Sequence, residues 1–368
     1  EMKLETLSPD GLFKKKSSKL YYFHSRRLAS MTFEPSSGQI ITIDEIDYTF
    51  CEHPSAPGIP YGQEGRSASV YQLVSLLGLK ALKVFKSDFR LPALVEFSRG
   101  ILVYSTLPGL EVCSRTVLTF SKHMDLLRIH PDLLYAVLMP WMEGKTWFET
   151  VASQQALTPF ESQALAHSLV RNLLEMEEHS LAHCDLSGSN IIWNPQSSTA
   201  SLVDIEGFYA PILSRPPKLL SGTLGYAHRT AVNGIWNEEA DRFSGAVLIA
   251  EILGWCDPRV RKNAWGESYF DQAELQQENQ RYRVLSACLA QNWGERVAGL
   301  FRQAWQSDTL SHCPLFGEWI LALPQEPINL ANLKIENELV VNTAQGNALE
   351  FGENSKTIIE GEKRPASY

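Results

Sequence analysis

The sequence predicts an α+β protein built in two parts, a β-rich segment followed by a helical one. Three observations predict it. Residues 66–86 alternate in polarity with period two and are rich in strand formers. Beyond residue 144 the apolar residues recur instead at the 3.6-residue helical spacing. Between the two lies the short link Met139-Pro140-Trp141-Met142-Glu143-Gly144. Strands gathered on one side of such a link and helices on the other define the α+β class.

The elements follow in order. Residues 1–57 are mixed, with one strand-like run at Ile40–Ile43 and a turn-rich exit at Pro54–Gly58. They read as an N-terminal extension of unknown role, with the main domain starting at 58. Two strands are expected at Ser69–Val74 and Lys80–Phe85. A helix is expected over Pro92–Tyr104, with Leu91, Leu94, Val95 and Ile101 as its apolar stripe, and further strands at Glu111–Thr119 and Leu134–Met139. Thr158-Pro159-Phe160-Glu161 combines an N-cap, a proline at the first helical position and an acidic first turn, so a long helix should run from there to about His179. Residues 239–253 are strongly apolar, which predicts a buried helix. Helical stretches continue to about Leu323, and the polar residues 324–368 read as a tail or linker.

Composition narrows the function. The chain has 368 residues, 44% of them hydrophobic, enough for one large or two ordinary domains. A net charge of −9 and a pI near 5.6 give no electrostatic footprint for nucleic acid or anionic lipid. Lys14-Lys15-Lys16 and Arg26-Arg27 read as solvated surface. The six cysteines are scattered without a C-x-x-C pair, which argues against zinc or a disulfide framework. No run is long and apolar enough for a membrane span or signal peptide, so the expected location is cytoplasmic. Oligomeric state is left open.

The residues that carry chemistry cluster in one region. In His183-Cys184-Asp185-Leu186-Ser187-Gly188-Ser189-Asn190 a carboxylate stands five residues before an amide. Asp204, in Val203-Asp204-Ile205-Glu206-Gly207, follows fourteen residues after Asn190. Upstream lie Gly62-Gln63-Glu64-Gly65-Arg66-Ser67-Ala68-Ser69-Val70, small residues that let backbone amides approach an anion, and Ala81-Leu82-Lys83-Val84, a lysine in an apolar strand. A lysine so placed needs an anionic partner, unless it simply solubilises an edge strand. Downstream are Ser221-Gly222-Thr223-Leu224-Gly225-Tyr226 and Asp241-Arg242-Phe243-Ser244-Gly245.

In this order the motifs resemble those of the Hanks-type (eukaryotic-like) Ser/Thr protein kinase superfamily, in a divergent, bacterial-looking form, over residues of about 58–323. The resemblance implies a two-lobed protein-kinase-like fold, with an N-lobe at 58–139, a hinge at 139–144 and a C-lobe at 145–323. It implies ATP and Mg2+ as cofactors and transfer of the γ-phosphoryl group to Ser/Thr hydroxyls of protein substrates. Asp185 would orient the hydroxyl, Asn190 and Asp204 would hold metal, and Lys83 would contact the α- and β-phosphates. Glu96, thirteen residues after Lys83, would be the lysine's helix partner. Gly65, Ala68, Val70, Met139 and Met142 would line the nucleotide site.

The departures from the family are specific. Cys184 replaces the arginine that reads a phosphorylated activation loop, so activity should not depend on phosphorylating residues 208–229. Ser187 replaces the γ-phosphate lysine, and only the middle glycine of the Gly-rich loop, Gly65, is kept. His228-Arg229 and Cys313-Pro314 stand where a buried Glu–Arg ion pair is usual, so that pair should be absent. Glu206 is open to two readings, a second carboxylate near the metals, as in small-molecule kinases of the superfamily, or a solvated loop residue. Two other functions therefore stand beside the first: a small-molecule kinase, and a nucleotide-binding pseudokinase scaffold.

Overall fold

A computed structural model describes residues 33–219 and 221–325. The basic clusters at 14–16 and 26–27 and all but the start of the 324–368 tail lie outside the described residues.

The protein is mixed α+β, with a sheet-forming region followed by a helical one, an arrangement compatible with two lobes. The first part contains β1 (Ile40–Ile43), β2 (Ile46–Phe50), β3 (Glu52–His53), β4 (Ala56–Pro60), β5 (Gly62–Glu64), β6 (Ala68–Ser75), β7 (Gly78–Phe85), helix α1 (Ala93–Ile101), β8 (Thr116–Val117), helix α2 (Phe120–Ile129) and β9 (Val137–Pro140). Its main sheet has the order β1-β2-β6-β7-β9-β8, with β5 also paired to β6, and every pairing is antiparallel.

The pleat sorts β7 by face. Leu82 and Val84 enter a core with Phe33, Ile41, Ile43, Tyr48, Phe50, Leu73 and Leu138. Ala81 and Phe85 belong to the other face and join the core that continues into the helical region. Lys83, between them on that second face, is thereby aimed at the helical region.

The expected boundary at residue 57 does not hold for the described part of the extension. Thr49 and Phe50 pair with Val74 and Leu73, and Phe33, Phe50 and Tyr71 pack their rings together. The apolar outer face of β6 and β7 needs a cover, and residues 33–50 supply part of it.

Two expected strands are shorter than predicted. Residues 111–119 form a 3-10 turn at Glu111–Cys113 and only two strand residues in β8. Consecutive burial of Val112 and Cys113 breaks the alternation a strand requires. Within 134–139 the strand starts only at Val137, because Tyr135 takes a left-handed backbone with φ of 62°.

The helical part holds β10 (Lys145–Thr146), α3 (Trp147–Ala152), α4 (Pro159–Glu178), β11 (Ile191–Asn194), β12 (Thr199–Leu202), α5 (Arg242–Gly254), α6 (Pro258–Asn263), α7 (Gln280–Trp293), α8 (Glu295–Gln306) and α9 (Phe316–Ala322). Helix α4 starts as its sequence predicts: the Thr158 hydroxyl accepts from Glu161 N and the Glu161 carboxylate accepts from Thr158 N, a reciprocal capping box. From Phe243 to Gly254 every residue of α5 is buried. One of them is a carboxylate, Glu251, which accepts from Trp147 Nε1 at 3.0 Å, the Tyr226 hydroxyl at 3.0 Å and Tyr269 N at 3.2 Å. Burial raises its pKa to about 7 despite those three donors.

At the place of the Glu–Arg ion pair expected to be missing, Arg229 donates to Ser307 O at 2.6 Å, and a chain of hydrogen bonds runs from His228 through Ser307 to Cys313. The buried His228 ring contacts Ser307 Oγ at 3.2 Å, and that hydroxyl lies 3.2 Å from Cys313 Sγ. Burial lowers the His228 pKa, which keeps the ring neutral there.

Candidate functional site

The site is built by four segments that meet where the sheet faces the helices. The segment 183–190 is positioned from below by the start of α5. Asp241, 4% exposed, accepts from His183 N at 2.5 Å and from Cys184 N at 3.0 Å. His183 is fully buried, and its Nε2 donates to Val203 O at 2.8 Å. Residues 183 and 203 are thus fastened together, and Val203 N donates to Asn190 O at 2.9 Å beside them.

Cys184 and Asp204 both hold left-handed backbone, with φ of 63° and 59°. Such conformations cost about 1 kcal/mol or more for non-glycine residues and persist where surroundings over-determine them. Here the double grip of Asp241 on residues 183–184 and the side-chain contacts of Asp204 do so. Gly188 is needed for a different reason: a Cβ there would lie 2.9 Å from the Tyr226 hydroxyl and 3.2 Å from the Trp147 ring.

Asp185 and Asn190 are brought together. The Asn190 amide donates to Asp185 O at 2.8 Å, and the Asp185 carboxylate accepts from the Thr223 hydroxyl at 2.9 Å. Burial raises the Asp185 pKa, while the Thr223 bond, His183 and the Arg66 charge pull against it. Beside Asp185 is a small cavity of about 30 Å3, bounded by Gly222, Thr223, Tyr226, Ala231 and Ile235.

Lys83 joins this group from the sheet. Its ammonium, on a side chain 5% exposed, lies 2.6 Å from Asp204 Oδ1 and 2.5 Å from Glu206 Oε2. Burial acts to lower the Lys83 pKa, but Glu206 and Asp204 outweigh it and raise the value. The two carboxylates respond oppositely. For Glu206, burial pushes upward, yet Lys83 and then Arg115 hold it well below the usual range. Asp204 is raised to about 6 by burial, opposed by Lys83 and reinforced by Glu206. Since the Asp204 side chain is 52% exposed, solvent tempers the burial effect, and the contest with Glu206 for one lysine is the cause that separates the two acids.

Glu96 is not part of the cluster. It pairs with Arg99 at 2.8 Å on the exposed face of α1, its side chain 75% exposed. Leu94, Ser98 and Ile101 are the buried residues of that helix. Two residues from both Leu94 and Ser98, Glu96 is turned roughly 200° away at ~100° per residue. The anion beside Lys83 is Glu206, so neither a solvated loop residue nor the helix glutamate describes what is found. Glu206 is itself gripped by Arg115, whose Nη1 donates to Glu206 Oε1 at 3.1 Å. Sequence reading did not single out Arg115, because its contact lies 91 residues away and no local pattern signals it.

The expected nucleotide-lining residues are spread over the β5–β6 turn, β6, β9 and the segment after β9. Gly65 is exposed at the β5–β6 turn, its N–H donating to Ala68 O at 2.8 Å. Ala68 is buried and Val70 half-buried against the core shared with the helices. Met139 is buried in β9 opposite Ala81, whereas Met142 lines an open groove of about 360 Å3 with Leu79, Trp141 and Asn194. Ser187 is fully buried and its hydroxyl lies 3.0 Å from that of Ser189, so it adds no charge to the cleft.

Among the described residues no three His, Cys, Asp or Glu side chains form a metal cage. Asp204 and Asn190 do offer hard oxygen donors on adjoining strand ends. That set suits magnesium, which takes one or two protein oxygens and completes its shell with phosphate and water. No protein-family model matches the chain, and no curated protein matches it.

Proposed function

We propose that the protein is an ATP- and magnesium-dependent phosphotransferase of the protein-kinase type, acting on Ser/Thr hydroxyls of protein substrates. The observation that carries this reading is the meeting of Lys83 with Asp204, 121 residues apart in the chain, at 2.6 Å. A phosphate-binding cation and a metal-binding carboxylate on opposite sides of one cleft are what phosphoryl transfer requires. The Asp185 carboxylate supports the hydroxyl part of the reading, since it already accepts a hydrogen bond from a threonine hydroxyl.

In this mechanism Lys83 holds the α- and β-phosphates, while Glu206 keeps the lysine charged and in place. Asp204 and Asn190 would hold magnesium, which would supply positive charge to offset that of the phosphates. Asp185 orients the acceptor hydroxyl toward the γ-phosphorus and receives its proton. The new O–P bond forms as the bond to the β-phosphate oxygen breaks, leaving ADP.

The alternative of a nucleotide-binding pseudokinase draws on one observation, that Lys83 is already satisfied by two carboxylates. Incubation with radiolabelled ATP, magnesium and a mixture of basic proteins, with and without Asp185→Asn, separates the readings. Label on protein that disappears in the variant supports transfer to protein. Nucleotide binding without transfer favours the scaffold, and label only on small metabolites favours a small-molecule kinase.

A further inference from the structure

We infer that Arg115 is a positioning residue that locks Glu206 against Lys83, so that the lysine's standing partner comes from the Asp204–Gly207 segment and not from helix α1. The inference rests on the reading that Lys83 contacts nucleotide phosphates.

Three observations converge on it. The Arg115 side chain is 1% exposed, an unusual burial for a guanidinium, and its Nε donates to Val112 O at 2.7 Å, fixing the plane of the group. Nη1 then reaches Glu206 Oε1 while the other carboxylate oxygen, Oε2, contacts Lys83. The carboxylate is thereby held between two cations, and its orientation is set from both sides. Nη2 is buried and has no partner, so Arg115 is not placed there for its own satisfaction.

Helix α1 points the same way. Its inward residues Leu94, Ser98 and Ile101 present no acid, and Glu96 is committed to Arg99 on the outer face. To deliver Glu96 to Lys83, α1 would have to rotate about its axis by roughly half a turn and expose Leu94 and Ile101. In charge terms Lys83 and Arg115 balance Asp204 and Glu206, so the cluster is neutral as it stands. Assembly of the lysine site is consequently independent of any swing of α1.

The test measures binding of ADP with magnesium, and of adenosine alone, to the wild type, Arg115→Gln, Arg115→Lys, Glu206→Gln, Glu96→Gln and the Arg115→Gln/Glu206→Gln double variant, with urea unfolding of each apo protein. Loss of a charge-assisted contact should weaken ADP about tenfold in Arg115→Gln, leave adenosine unchanged, and be largely restored in Arg115→Lys. Glu96→Gln should bind ADP as the wild type does. In the apo proteins the double variant should unfold at a midpoint no lower than the weaker single variant. Equal weakening of ADP and adenosine, additive apo effects, or a loss of ADP affinity in Glu96→Gln would each overturn the inference. A wild type that binds neither ligand sinks the nucleotide reading, and the apo cycle then decides whether Arg115 acts through Glu206.

Discussion

The Thr223 hydroxyl donates to Asp185 Oδ1 at 2.9 Å, joining the loop that ends at Tyr226 to the carboxylate expected to bind an acceptor. This contact changes which residues of the loop matter. Thr223→Ala removes a hydrogen bond to a charged group and should slow phosphoryl transfer about tenfold, with ADP affinity unchanged and Thr223→Ser close to wild type. Ser214 and Ser221 make no such contact with Asp185, and their alanine variants should transfer phosphate normally. Initial rates under saturating ATP check both statements. A silent Thr223→Ala, or an inactive Ser221→Ala, would count against this account.

Asp241 holds the backbone of residues 183 and 184 with both carboxylate oxygens. Asparagine offers only one acceptor oxygen, so Asp241→Asn leaves one buried N–H without a partner and releases the left-handed turn at Cys184. The expected cost is about 2 kcal/mol, read as a lower urea midpoint, together with loss of transfer.

On the proposed function, Arg66 would stand in for the absent lysine at position 187. Ser187 is buried against Ser189, whereas Arg66, on the exposed β5–β6 turn, already acts on the Asp185 carboxylate. Arg66→Ala should lower kcat by about tenfold, the effect of one charged contact in the transition state, and Arg66→Lys should recover part of it. Steady-state kinetics with a fixed protein substrate decide the matter.

Glu251 gives a stability signature against pH. Its folded pKa of about 7 lies above the ordinary 4.5, so between those values the folded state binds the extra proton. Stability from this group is therefore complete below pH 4.5 and is lost as pH rises through 7, by about 3 kcal/mol. Glu251→Gln removes the titration while keeping an acceptor for Trp147 and Tyr226. The variant should match the wild type in urea at pH 5 and exceed it at pH 7.5. Parallel curves for the two proteins would show that Glu251 is ionised throughout.

Much of the frame was legible because it depends on local rules. The strands at Ser69–Val74 and Lys80–Phe85, the Thr158 cap and the largely apolar α5 each follow from a pattern within a few residues. Lys83, Asp185, Asn190 and Asp204 stand out by order and spacing, and the fold joins Lys83 to Asp204 and Asn190 to Asp185. The partner of Lys83 was not, because partner choice depends on helix rotation. A signal existed: Glu96 sits between Leu94 and Ser98, opposite the face that Leu94 and Ile101 define. The membership of residues 33–50 in the sheet was hidden for another reason, since strand pairing between β2 and β6 is set by tertiary contact and leaves no mark in either strand alone.

The pairing of β2 with β6 also bears on solubility. A chain shortened to begin at residue 58 would leave Leu73 and Val74 on an uncovered sheet edge, next to the hairpin tip where Leu76 and Leu77 already face solvent. An apolar strand with free N–H and C=O groups is a template for other copies. Such a truncated protein should self-associate through that edge, and gel filtration would register it as a shift to larger species.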